Sequence, residues 1–229
     1  MPSIYLLADS LLLYHKEKDG QNALQSVHQH LTTADPLAVY VGAANGDAPQ
    51  FYDLFRGVMK RLGINRCHHV RSHFPSEDRD ALAAADLILL AGGDPILGWS
   101  VFEKTGMKAL FEQKYKAETL FLGISAGAIH LSKHWFDENR STFVPMFNWL
   151  PRLADVHDEK EDWSRLSANL ARDKAEKSAL GISSGSGIIY QSDGTFEVLG
   201  KSAFSFDRQE DGTWQKRELF PFSGQRYKI

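Results

Sequence analysis

The sequence predicts an α/β fold: a doubly wound, mostly parallel sheet with helices on both faces, a nucleophile elbow and β-hairpins toward the C-terminus. Three observations carry this expectation. Short strands that are apolar nearly throughout (LAVYVG at 37–42, LILL at 87–90, LFL at 120–122) alternate with segments of helical apolar spacing, the pattern of a parallel sheet covered on both faces. Two of these strands run straight into glycine-bearing ends, Gly92-Gly93 and Gly123-Ile124-Ser125-Ala126-Gly127. Ligands of such sheets bind outside the carboxyl ends of the strands. Two Asp-Gly dipeptides, at 193–194 and 211–212, are each flanked by β-like segments and signal two-residue hairpins.

In chain order, 3–8 (SIYLLA) reads as a buried strand, and Leu24, Val27 and Leu31 place a helix over 22–31. Asp35-Pro36 is a turn before the strand at 37–42, and 43–47 (AANGD) is loop chemistry. Phe51, Leu54, Phe55, Val58, Met59 and Leu62 mark an amphipathic helix that Gly63 closes. A third strand is expected over 68–71 and a short helix over 78–85. After the strand at 87–90, Asp94 is a natural N-cap and Pro95 a natural first helical residue. The helix that opens there takes its apolar face from Ile96, Leu97, Val101 and, further on, Leu110 and Phe111. After the helix that follows Ser125, residues 134–156 read as irregular and aromatic-rich. The acidic run 158–162 reads as a solvated helix start, and Leu166 and Leu170 suggest a helix within 163–177. The hairpins GIIYQS/TFEVLG and AFSFDRQ/TWQKREL follow.

The chain has 229 residues, enough for one domain spanning 1–229, with 43% hydrophobic residues and a formal charge of −3. That balance provides no electrostatic footprint for nucleic acid or an anionic membrane. One cysteine, Cys67, excludes an internal disulfide framework, and the apolar start lacks a basic n-region. A cytoplasmic location is the expectation, with no nucleic-acid or membrane partner.

The stretch 119–129 (TLFLGISAGAI) reads strand, G-x-S-x-G, helix start, the context of a nucleophile elbow. Ser125 would sit on a sharp turn with its hydroxyl clear of the sheet, and the following N–H would face developing negative charge. A second match, Gly181 to Gly185, follows an expected helix and precedes a strand, so it reads as a loop. Ser125 needs a base, because a hydroxyl is not ionised at neutral pH. Of nine histidines, His130 shares the helix after Ser125 and should point away, and His15, His28 and His30 lie on or beside an early surface helix. His68, His69 and His73 surround a strand without a third ligand or helical frame, so no metal site is expected. His134 and His157 fall where a loop can bring a base over the sheet edge, and position alone leaves both open.

Taken together, AGGD at 91–94, GISAGA at 123–128 and a later histidine resemble the serine peptidase family of dipeptidase E (aspartyl dipeptidase) and cyanophycinase. The resemblance covers about residues 37–200 in the same motif order. It implies a fold similar to class I glutamine amidotransferases and metal-free cleavage of dipeptides with an N-terminal aspartate, or of β-aspartyl-arginine units, with no cofactor. Carried over by position, Ser125 is the nucleophile, His157 in LPRLADVHD the base, and the N–H groups of Gly93 and Ala126 the oxyanion hole. Two departures stand out. The family's triad carboxylate sits in a short G-[IL]-x-E motif, and here Gly181-Ile182-Ser183-Ser184 puts Ser184 in its place. A serine can orient an imidazole but cannot stabilise imidazolium by charge, a role worth up to about 10⁴ in turnover. After His157, DEKED replaces the family's aromatic and arginines, leaving Arg165 as the nearest arginine and the substrate preference open. Ser184, Asp94 and Arg165 are therefore the candidates for a third triad member or a binding role.

The leading expectation is a serine hydrolase of the dipeptidase E type acting on a small peptide or amide, with homodimerisation left open. The alternative is a catalytically weakened homologue that binds a small peptide or amino acid. An α/β-hydrolase esterase would place its histidine near the C-terminus, and no histidine follows His157.

Overall fold

The computed structural model describes residues 3–15, 24–221 and 226–228. The chain opens with β1 (Ile4–Leu7), two 3₁₀ segments and β2 (Leu37–Val41), then α1 (Pro49–Arg61), β3 (Arg66–Val70), α2 (Ser76–Ala84) and β4 (Leu87–Leu90). It continues through α3 (Pro95–Thr105), α4 (Met107–Lys116), β5 (Leu120–Ile124) and α5 (Ala126–Leu131). A hairpin of β6 (His134–Asp137) and β7 (Thr142–Pro145) follows, then β8 (Leu153–Val156), α6 (Ser164–Arg172) and β9 (Ser178–Ile182). The end of the chain is β10 (Ser186–Tyr190), β11 (Thr195–Gly200), β12 (Ala203–Arg208), β13 (Trp214–Leu219) and β14 (Tyr227–Lys228).

Among the described residues the main sheet runs β14-β11-β10-β1-β5-β4-β2-β3. Its β1, β5, β4, β2 and β3 are mutually parallel, and β10, β11 and β14 extend it antiparallel. The apolar strands bury both faces because successive side chains alternate. Ile4, Leu6, Val39, Ile88, Leu90 and Phe121 pack on the side of α3 and α4, with Trp99, Phe102 and Phe111. Tyr5, Leu7, Leu87, Leu89 and Leu122 face α1, with Phe55, Val58 and Met59. A second sheet, β13-β12-β9-β8, packs on α6 through Trp163, Leu166 and Leu170. Among the described residues no helix is long and apolar enough to cross a membrane.

The doubly wound sheet matches the sequence expectation, and both Asp-Gly hairpins form, but each turns through three residues (192–194 and 210–212) rather than two, with its glycine at positive φ. Several elements differ. Gly106, at φ +81°, ends one helix and starts another where the apolar spacing reads as a single helix. The expected helix over 22–31 is a 3₁₀ segment, Gln25–His30, with residues 22 and 23 outside the described ones. The segment read as irregular holds the β6/β7 hairpin and β8. The helix within 163–177 stops at Arg172. The second G-x-S-x-G is preceded by β9 rather than a helix, so it is a strand–turn–strand. Nor is the acidic run simply solvated: Asp158 is buried, and its carboxylate accepts from Arg165 N and Leu166 N at the start of α6.

Candidate active site

β5 ends at Ile124 and α5 starts at Ala126, so Ser125 makes the strand-to-helix turn by itself, at φ +51° and ψ −110°. Positive φ strains a residue with a Cβ and persists only where the surroundings impose it. Here the Ser125 N–H donates to Leu7 O at 2.9 Å, and the Ile129 N–H donates to Ser125 O at 3.1 Å. The flanking glycines are steric requirements. A Cβ on Gly123 would lie 2.4 Å from the Gly127 carbonyl, and one on Gly127 would lie 2.1 Å from Leu90 O. The helix thus crosses β4 and β5 at backbone contact.

β4 delivers its glycines to the same place. A Cβ on Gly92 would sit 3.2 Å from the Ser125 Cβ, and Gly93, at φ +137°, has no room for one because Ala44 O would be 2.0 Å away. Asp94 then anchors the turn. Its N–H donates to Ala44 O at 2.8 Å, and its carboxylate accepts from Ile96 N and Leu97 N at 2.8 and 3.0 Å, capping α3.

His157 arrives from the second sheet. β8 runs parallel to β9 with Val156 opposite Ile182, so the next residues of both strands, His157 and the turn at 183–185, emerge side by side. His157 sits at φ +60°, its N–H donates to Ile182 O at 3.2 Å, and its Nδ1 is 3.3 Å from Ser184 Oγ. Two carboxylates flank this pair. Asp9, at the carboxyl end of β1, places Oδ2 4.0 Å from His157 Nδ1, and the same oxygen accepts from Gly185 N at 2.8 Å. Glu159 Oε1 accepts from Ser184 N at 3.2 Å. Burial pushes the Glu159 carboxyl up, but the Ser184 hydroxyl, backbone N–H groups and the nearby His157 ring together hold it below the ordinary glutamate value.

Ser125, Gly92, Gly93, Asp9 and His157 line one cavity of about 270 Å³. A search with the sequence profile of peptidase family S51 matches residues 6–193, which takes in every one of these groups.

The chain belongs to peptidase family S51.

No curated protein matches the sequence significantly. Two solved structures show the fold. A peptidase from an acI-B1 Actinobacterium superposes with a TM-score of 0.75 at 17% identity, over 100% of this chain and 97% of that one. A protein of Listeria monocytogenes EGD-e assigned to peptidase E gives 0.64 at 16% identity, over 88% and 98% of the two chains.

The other candidate residues of this S51 peptidase have separate engagements. Arg165 donates from Nε and Nη2 to the buried Asp155 at 2.9 and 2.5 Å and to Val156 O at 2.8 Å. With Asp94 it edges a second, more open depression of about 510 Å³ on the far side of Gly93. His134 lies 3.0 Å from Asp173, outside the Ser125 cavity. Donor atoms of His134, Asp173 and Glu176 fall within 4.8 Å of one another, and Lys133 holds Glu176 at 2.8 Å, which makes the group an ion-pair network. His130 is buried in α5 with Nε2 on Pro95 O at 2.8 Å. Sequence reasoning did not single out Asp9 or Glu159. Asp9 follows an apolar strand, so the rule that ligands meet strand ends would have flagged it; Glu159 was hidden in the acidic run.

Proposed function

We propose that this S51 peptidase is a serine exopeptidase acting on small peptides through an acyl-enzyme on Ser125, with His157 as base. The observation that carries this reading is the strained Ser125 turn opening on a cavity whose wall also holds the His157 ring. Because Nδ1 faces Ser184, Nε2 is the ring atom left for the serine. In this mechanism His157 Nε2 takes the Ser125 proton as Oγ attacks the peptide carbonyl. The oxyanion is received by the N–H groups of Gly93 and Ala126; Ala126 begins α5, where a helix leaves its first N–H groups without internal partners. His157 then protonates the departing amine, and water hydrolyses the ester with His157 acting again as base.

By the family resemblance Ser184 stands where a triad carboxylate is expected, and in this mechanism two nearby groups compensate for the missing charge. Ser184 Oγ fixes the ring through Nδ1, while the Glu159 carboxylate beside Ser184 and the Asp9 carboxylate at 4.0 Å supply negative potential for the imidazolium. The test is a dipeptide library read by mass spectrometry on wild type and Ser125→Ala, alongside labelling with a fluorophosphonate. Cleavage and labelling by wild type alone support the reading. No cleavage and no label, with both proteins folded, overturns it in favour of a peptide-binding homologue.

A further inference from the structure

The cavity that opens on Ser125 has a chemical character of its own. Its walls are Leu13 from the first 3₁₀ segment, Tyr40 from β2, Leu89 from β4, and Phe51, Leu54 and Phe55 from α1. No lysine or arginine among the described residues lines it, and its one carboxylate is Asp9. Tyr40 adds no charge, because burial pushes its phenol up to about 12 even though Asn45 Nδ2 donates to it at 2.8 Å. Two of the walls are large apolar side chains left open to solvent, Phe51 at 43% and Leu54 at 41% exposed. Such side chains gain by contact with an apolar ligand group.

We infer that this cavity receives a bulky apolar side chain, aromatic or branched aliphatic, on the acyl side of the scissile bond. The inference rests on the serine-peptidase reading. The acyl side is assigned because Gly92, Ile124 and Ser125 itself line the cavity, and the acyl group is the part of the substrate that stays bonded to Ser125 after the amine departs. An aspartyl side chain fits poorly in the same space. It would bring a carboxylate into apolar walls with no cation among the described residues to pair with, beside a carboxylate already present, and an unpaired charge is costly to bury. Arg165 does not relieve this, since it lies at the other depression and its guanidinium is bonded to Asp155. A volume of about 270 Å³, just below the roughly 300 to 1,000 Å³ of ligand pockets, suits one side chain plus the reacting peptide unit.

Aminoacyl p-nitroanilides test this directly, because the leaving group is constant and only the acyl residue varies. Wild-type protein is assayed on Phe, Leu, Met, Ala, Asp and Arg derivatives, with fluorophosphonate labelling of Ser125 as a readout independent of side-chain preference. The expected result is kcat/KM for Phe or Leu about 100-fold or more above Asp. Leu54→Arg, at an exposed position, should narrow that ratio at least about tenfold by offering a cation at the cavity mouth. A labelled enzyme that prefers Asp, or that shows no acyl preference and selects apolar residues only on the leaving side, overturns the inference and leaves the serine-peptidase reading standing. No label and no turnover of any derivative overturns both.

Discussion

His130 provides a quantitative test of how the helix after Ser125 is held. It lies in α5 five residues after Ser125, fully buried, with Nε2 on Pro95 O and its Cε1 2.7 Å from where a Cβ on Gly98 would stand. Burial pushes the ring down from 6.5 to about 4, and the hydrogen bond to Pro95 O only partly opposes it. The unfolded chain therefore binds a proton that the folded chain refuses throughout the window between those values. Stability contributed by neutral His130 is complete above the unfolded value and is lost as pH falls from about 6.5 toward about 4. At about 1.36 kcal/mol per unit, the full window is worth roughly 3 kcal/mol, and the part between pH 7 and pH 4.5 about 2 kcal/mol. The perturbation is His130→Gln, which keeps a donor near Pro95 and does not titrate. Urea unfolding of both proteins at half-unit pH steps isolates the histidine, because the other titrating groups cancel in the difference. The variant is less stable at pH 7, and its deficit should shrink by about 2 kcal/mol by pH 4.5. Parallel stability curves for the two proteins would refute the reasoning.

Gly127→Ala forces a Cβ to 2.1 Å from Leu90 O, so it should cost about 3 kcal/mol or more in urea unfolding, whereas Gly57→Ala, open inside α1, should stabilise by up to about 1 kcal/mol. Arg165→Leu strips the guanidinium from Asp155, whose carboxyl burial already pushes up. The expected loss is about 3 kcal/mol at pH 7, partly recovered at lower pH as that raised carboxyl protonates. Ser184→Ala removes the hydroxyl from His157 Nδ1 and should lower kcat about tenfold with little change in KM, measured on whichever p-nitroanilide is best.

The elbow was legible because everything that makes it is local: a strand, two glycines two residues either side of a serine, and a helix. The backbone contacts at Gly123 and Gly127 are the steric content of that pattern. His157 and Ser184 could be named in advance only through motif order, since what joins them is the parallel register of β8 and β9, twenty-six residues apart at Val156 and Ile182. Asp9 was legible only as a strand-end residue, since its partner, Gly185 N, lies far along the chain, and Glu159 was not legible because its contact with Ser184 joins segments twenty-five residues apart. The β6/β7 hairpin escaped notice because its connection, Glu138-Asn139-Arg140-Ser141, lacks the Asn-Gly or Asp-Gly signature that marks the two later hairpins. Gly106 was misread for the opposite reason: the apolar spacing continues across it, and a lone glycine inside such spacing is ambiguous.

The proposed nucleophile and base come from different sheets: Ser125 follows β5 of the eight-stranded one, and His157 follows β8 of the four-stranded one. The turn at 183–185 joins them, and the Asp9 carboxylate clamps that turn through Gly185 N. The clamp ties that turn to the end of β1, while one apolar cluster runs through both sheets, from Ile4, Leu6 and Ile88 to Val156, Leu180 and Ile182. In the proposed mechanism, loosening it would change how the histidine is aligned with the serine, while the shared apolar cluster, which Asp9 does not enter, would remain. On the proposed mechanism, Asp9→Asn, which keeps an oxygen for Leu11 N, is expected to lower turnover in a protein that still folds.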